Sequence, residues 1–202
     1  MQFSTATILA ALSFSSQVFA APVAPAKRDM LVTVHSAVTT FHSEVTTELT
    51  SISSTVKSDV TTSIVPSVTT NLVSIAGSVN KTIDTIVPAI AGPVVTLSVS
   101  EVASIYNDLV VVKSVLSNVE TVLNTTVTGV LAETKTLLAP EISAVLVLVT
   151  PLVNPLVAYV KSVVGTVTGA DNLVSEVFAL CSDIESVAGG IVDPVMGLVS
   201  IL

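Results

Sequence analysis

The stretch from Ile142 to Val160 reads Ile-Ser-Ala-Val-Leu-Val-Leu-Val-Thr-Pro-Leu-Val-Asn-Pro-Leu-Val-Ala-Tyr-Val, nineteen residues without a formal charge between Glu141 and Lys161. It stays apolar through Val163, Val164 and Val167. A helix apolar on all sides must be covered by protein, by lipid or by an apolar ligand. Nineteen residues almost reach the length of a membrane span. Pro151 and Pro155 argue against a span, because each removes a backbone donor and kinks or breaks a helix. Asn154 adds an amide that hydrocarbon would leave unpaired, and no second comparable stretch exists to rescue the prolines. The expectation is an all-α fold: a bundle of amphipathic helices around a very apolar central segment, broken by proline near Thr150 to Pro155.

Outside this stretch, composition and period disagree. Val, Ile and Thr dominate and favour strands. The apolar positions nevertheless recur in helical steps of three and four. They run Leu31, Val34, Val38, Phe41, Val45, Leu49, Ile52, Val56, Val60 and Ile64, then Val68, Leu72, Ile75, Val79, Ile83, Ile86 and Ile90. Pro66 interrupts the pattern, and Pro88 with Gly92-Pro93 ends it. Period outweighs propensity, since a buried face supplies most of a helix's stability. Ser98-Val99-Ser100-Glu101 matches a capping box. The stripe behind it passes through Val102, Ile105, Leu109, Val112, Leu116, Val119, Leu123, Val127 and Val130, and predicts a helix reaching Leu138 before Pro140. After a loop at Gly165 to Gly169, Asp171 reads as an N-cap, and Leu173, Val177, Leu180, Ile184 and Val187 form a last helix ending before Gly189-Gly190.

The chain starts as a secreted protein does. Residues 1–20 read as a signal peptide, with an apolar core from Ala6 to Phe14 and small residues at Val18-Phe19-Ala20. Residues 21–28 form a short Pro-rich piece ending in the dibasic pair Lys27-Arg28, a processing site, and residues 29–202 form a single helical domain. Beyond residue 28 only five lysines remain against fifteen acids, a formal charge of −10, with Phe41, Tyr106, Tyr159 and Phe178 as the aromatics. Nucleic-acid binding requires a basic surface and stacking rings, so that class is excluded. The tail, Ile191 to Leu202, lacks the polar spacer of a lipid-anchor signal, and docking onto the bundle fits it better.

Chemistry is sparse. His35 and His42 stand seven residues apart on one helix, ~10 Å at 1.5 Å per residue, too far to share a metal. They read as solvated side chains at the edge of a stripe. Cys181 is alone, so no disulfide forms within the chain. It reads as a buried small hydrophobe, with pairing between chains as the alternative. No nucleophile–base pair, phosphate loop or metal-spaced cluster is present in the sequence. A non-enzyme without a cofactor is expected. Asn80-Lys81-Thr82 and Asn124-Thr125-Thr126 are glycosylation sequons lying off the apolar stripes.

The leader, the Pro/Ala piece ending Lys27-Arg28-Asp29 and the Val/Leu-Thr/Ser helices together resemble fungal hydrophobic surface-binding protein A and the antigenic cell-wall galactomannoproteins. The likeness is best from Leu97 to Leu138, through Asp108-Leu-Val-Val-Val-Lys-Ser-Val-Leu-Ser-Asn-Val-Glu. It rests on pattern across residues 29–187, and the Val-rich, proline-bearing region 142–167 departs from it. The resemblance implies a secreted or cell-wall helical glycoprotein that binds hydrophobic surfaces or lipids such as fatty-acyl chains. Apolar excess points the same way: half the chain is hydrophobic, more than simple amphipathic stripes need. The expected contacts are Val112, Leu116, Val119, Leu146, Leu148, Leu152, Leu156 and Val160, and the glycans offer a possible link to wall polysaccharide. The alternatives are a structural wall glycoprotein without a ligand and a membrane-anchored surface protein.

Overall fold

A computed structural model describes residues 27–92 and 96–199, with side chains placed for 29–92 and 96–191. The signal peptide and most of the pro-piece therefore lie outside the described residues, as do the side chains of Lys27 and Arg28 and those of the tail beyond Ile191. Five helices account for nearly all of the rest: α1 (Lys27–Ser58), α2 (Val65–Ile90), α3 (Val99–Gly129), α4 (Ala132–Val164) and α5 (Asp171–Val199), with a 3-10 turn at Thr62–Ile64 before α2. The fold is the expected all-α bundle.

In these Val- and Thr-rich helices the threonine hydroxyls turn back onto their own backbone. Thr39, Thr47, Thr50, Thr55, Thr121 and Thr125 each donate to the carbonyl four residues back, at 2.7–2.9 Å. Such bonds satisfy a donor that would otherwise compete with the helix. The larger contribution is the buried stripe: Phe41, Ile52, Leu72, Ile75, Leu109, Leu123, Ile142 and Ile184 are all fully buried. The helix N-terminus foreseen at Ser98 is present in full. Ser98 Oγ accepts from the Glu101 amide at 3.4 Å, and the Glu101 carboxylate accepts from the Ser98 amide at 2.7 Å. Ser98→Ala removes the side-chain half of this exchange and should cost about 1 kcal/mol in urea unfolding.

The helices form a ring. α1 packs on α2 and α3, α2 on α4, α4 on α5, and α5 returns to α3. The core fills the middle, lined from every helix by Val, Leu and Ile.

Four boundaries differ from the sequence expectation. The apolar segment is not broken: α4 runs unbroken through Pro140, Pro151 and Pro155. A proline strands the carbonyl four residues earlier. Here those carbonyls belong to Thr136, Val147 and Pro151, all exposed residues on the solvent side of the helix, where a lost backbone partner costs least. The helix expected from Ser98 to Leu138 is instead two, parted at Val130 and Leu131, whose backbones are extended. The carbonyl of Val60 causes this. It accepts both the Leu131 amide at 3.1 Å and the Thr134 hydroxyl at 3.2 Å, drawing the start of α4 onto the corner between α1 and α2. Finally, α5 passes through Gly189-Gly190 to Val199, because the core stripe continues with the buried Ala188 and Ile191. Asp171 is the first helical residue of α5 rather than its cap, and the turn ahead of it depends on Gly169 at φ 79°, a left-handed conformation suited to glycine.

Candidate functional site: an apolar interior closed by a ring of helices

The eight expected contact residues lie together, and all are buried. Val112, Leu116 and Val119 project from α3, and Leu146, Leu148, Leu152, Leu156 and Val160 from α4. They face the core between the two helices, so in the closed ring none is offered to solvent. A small apolar void, of about 10 Å³, sits among the described residues where α1, α3 and α4 meet, between Met30, Leu31, Val34, Ile105, Leu109, Val112, Leu156, Tyr159 and Val160. That is room for about one water, whereas pockets for small molecules span ~300–1,000 Å³. This void is too small for an acyl chain while the ring stays closed.

Polar groups guard the rim of this void. His35 Nδ1 on α1 meets Asp108 Oδ1 on α3 at 2.7 Å, with the histidine side chain 69% exposed and the aspartate 12%. Burial pushes the Asp108 carboxyl above its ordinary 3.8, while its hydrogen bond and charge interaction with His35 pull the other way. Tyr159 donates its hydroxyl to the Met30 sulfur at 3.2 Å, joining α4 to α1. Burial raises the Tyr159 phenol above 10.0. The sequence reading left His35 solvated and without a partner, and it passed over Asp108. A signal was present: Asp108 lies seven residues before Val115, on the flank of the core stripe, where an acid has to find a partner or lose its charge.

Side-chain cross-links join the helices unevenly. Among the described residues, α1 and α2 are linked by Lys81–Glu44 at 3.3 Å and Asn71–Ser51 at 2.9 Å. The α1–α3 seam has His35–Asp108, α3–α5 has Lys113–Asp183 at 2.6 Å, and α4–α5 has Lys161–Glu185 at 2.9 Å. No hydrogen bond or ion pair between described residues joins α2 to α4. That seam is held by packing of the two helices' buried, mostly apolar faces. Glu141 leaves one buried carboxylate oxygen without a hydrogen-bond partner.

The remaining candidates are placed as follows. His42 is exposed on α1, Asn124 is exposed on α3, and Asn80 is half-buried on α2. Lys27 and Arg28 form the first residues of α1. Cys181 is completely buried, and burial pushes its thiol up to about 11. A disulfide between folded chains is thereby ruled out, and the native protein should not react with a water-soluble thiol reagent at neutral pH. Unfolding in urea should restore the reaction.

Compared with known proteins, the chain matches no family model, no curated protein and no solved structure.

Proposed function

We propose that this is a secreted, wall-associated helical protein that binds hydrophobic surfaces or lipids by opening its ring and laying its apolar helix faces on them. The observation that carries the reading is the unlatched α2–α4 seam, backed by the charge-free stretch of α4 from Ile142 to Val160. In water that seam is held by the hydrophobic effect, at ~25 cal/mol per Å² buried. Against an apolar phase this advantage vanishes, because oil covers Leu148 or Leu152 as well as a neighbouring helix does. The ion pairs on the other seams are worth only ~0.2–1 kcal/mol in water, but they strengthen as the surrounding dielectric falls. Contact with oil therefore weakens one seam and tightens four. The back-bonded threonines help as well, since their hydroxyls carry their own acceptors onto an apolar surface.

Shaking the purified protein with hexadecane should move it from water to the interface with its helicity kept. Recovery of all the protein in the aqueous phase would defeat the proposal. Absence of catalysis and of a cofactor belongs to this reading, as does glycosylation at Asn80 and Asn124. The resemblance to hydrophobic surface-binding proteins agrees with it. A membrane-anchored reading is favoured by one feature: α4, with 33 residues, is long and apolar enough to cross a bilayer. Only 44% of its most apolar window is buried inside the bundle. Release of the protein from cells without detergent would set that reading aside.

A further inference from the structure

Charge is shared unevenly among the five helices. Val60 to Asn80, which takes in the 3-10 turn and the front of α2, has no charged residue, and neither has Ile142 to Val160 on α4. The two stretches are neighbours. α2 packs along α4, and both set out from the corner where the Val60 carbonyl holds the Leu131 amide. Residues equally far from that corner stand level, at about 1.5 Å per residue, so Val73 and Val147 lie within about one turn of each other along the bundle. Both are exposed, as is Leu137 nearer the corner. Pro66, Pro140 and Pro151 are exposed as well, and proline has no amide to leave unpaired. Most of the acids belong to the other three helices: Glu44 and Glu48 on α1, Glu101 and Glu120 on α3, Glu176 and Asp183 on α5. Asp84, Glu133 and Glu141 lie beyond the ends of the two uncharged stretches.

We infer that the closed bundle docks first by the outward face of α2 and α4, laid flat on an uncharged apolar phase such as an oil or wax layer. The inference rests on the proposed hydrophobic binding and specifies its surface. A charged side chain pressed against oil loses its hydration and gains nothing in return. An acidic molecule therefore meets such a phase best by the side that has no charge. That side also flanks the seam that no hydrogen bond or ion pair between described residues crosses. Two helices resting on oil can part along it and turn buried residues such as Leu148 and Leu152 onto the surface. A phospholipid surface suits the face less, since Val, Pro, Ala and Thr offer its phosphates no charged partner.

The test is partition of the purified protein between water and hexadecane droplets, with one charge at a time placed on an exposed valine. Val73→Asp and Val147→Asp should each weaken adsorption about tenfold or more. Val147→Lys should match Val147→Asp, because oil disfavours either sign of charge. Val32→Asp on α1 and Val110→Asp on α3, at valines that are also exposed, should adsorb as the parent does. Phosphatidylcholine vesicles should take up far less protein than droplets of equal area. Equal adsorption by all four aspartate variants, or equal uptake by vesicles and droplets, overturns the docking face while hydrophobic binding stands. A loss of stability in Val147→Asp, or a dimer in sedimentation that Val147→Asp splits, means that the face is covered by the chain itself or by a second copy, and overturns it too. If the parent protein stays in water, the proposed function fails and the docking face with it.

Discussion

Replacing Pro151 and Pro155 by alanine is expected to stabilise the bundle by about 2 kcal/mol for each substitution. A proline inside a helix costs ~3 kcal/mol relative to alanine, and up to ~1 kcal/mol of that is returned by its stiffening of the unfolded chain. Both prolines lie inside α4, Pro151 exposed and Pro155 half-buried, and the restored amides complete the ladder to Val147 and Pro151. The urea midpoint should rise without a change in slope. Adsorption to hexadecane should change little, because α4 stays helical in both the closed and the opened ring and the gain is common to the two states. Lower stability in the double variant would mean that the prolines bend α4 to fit its neighbours, and the account of their hydration would be wrong.

The second large effect is a contrast between two positions on the same helix. Val149 is 2% exposed and Val147 is 62% exposed. Val149→Asp places an unpaired carboxylate in the core and should cost more than ~4 kcal/mol, enough to leave the protein largely unfolded. Val147→Asp should change stability by no more than ~0.5 kcal/mol, as exposed substitutions do. The pair separates a core helix from a membrane span. Were α4 surrounded by lipid, the outward aspartate would be as damaging as the inward one, and protein carrying Val147→Asp would fail to insert.

Much of this fold is legible in the residues. The three-and-four spacing from Val34 to Val56 marks the buried face of α1, and Ser98 with Glu101 marks the start of α3. What the sequence hides is tertiary. Nothing local announces that the carbonyl of Val60 will take the amide of Leu131, so one long stripe reads as one helix when it is two. Nothing local tells whether a proline's stranded carbonyl meets water or core, so Pro151 reads as a break. Gly189-Gly190 looks like a stop until Ile191 is seen to be buried. The site is legible in part. Apolar excess identifies Leu152 and Leu156 as unusual, but only the ring order shows that four seams are latched and one is not. Asp108 could be suspected from its place on the stripe, whereas its partnership with His35, on another helix 73 residues away, could not.

The central claim is that the ring opens between α2 and α4 when it meets an apolar phase. Spin labels at the exposed Val73 and Val147, introduced as cysteines with Cys181→Ala, place one probe on each side of that seam. On adsorption to hexadecane droplets their separation should grow by at least one helix diameter, ~10 Å, with helicity unchanged. A pair at His42 and Val73, across the latched α1–α2 seam, should keep its distance. Adsorbed protein in which the Val73–Val147 distance stays the same would contradict the account.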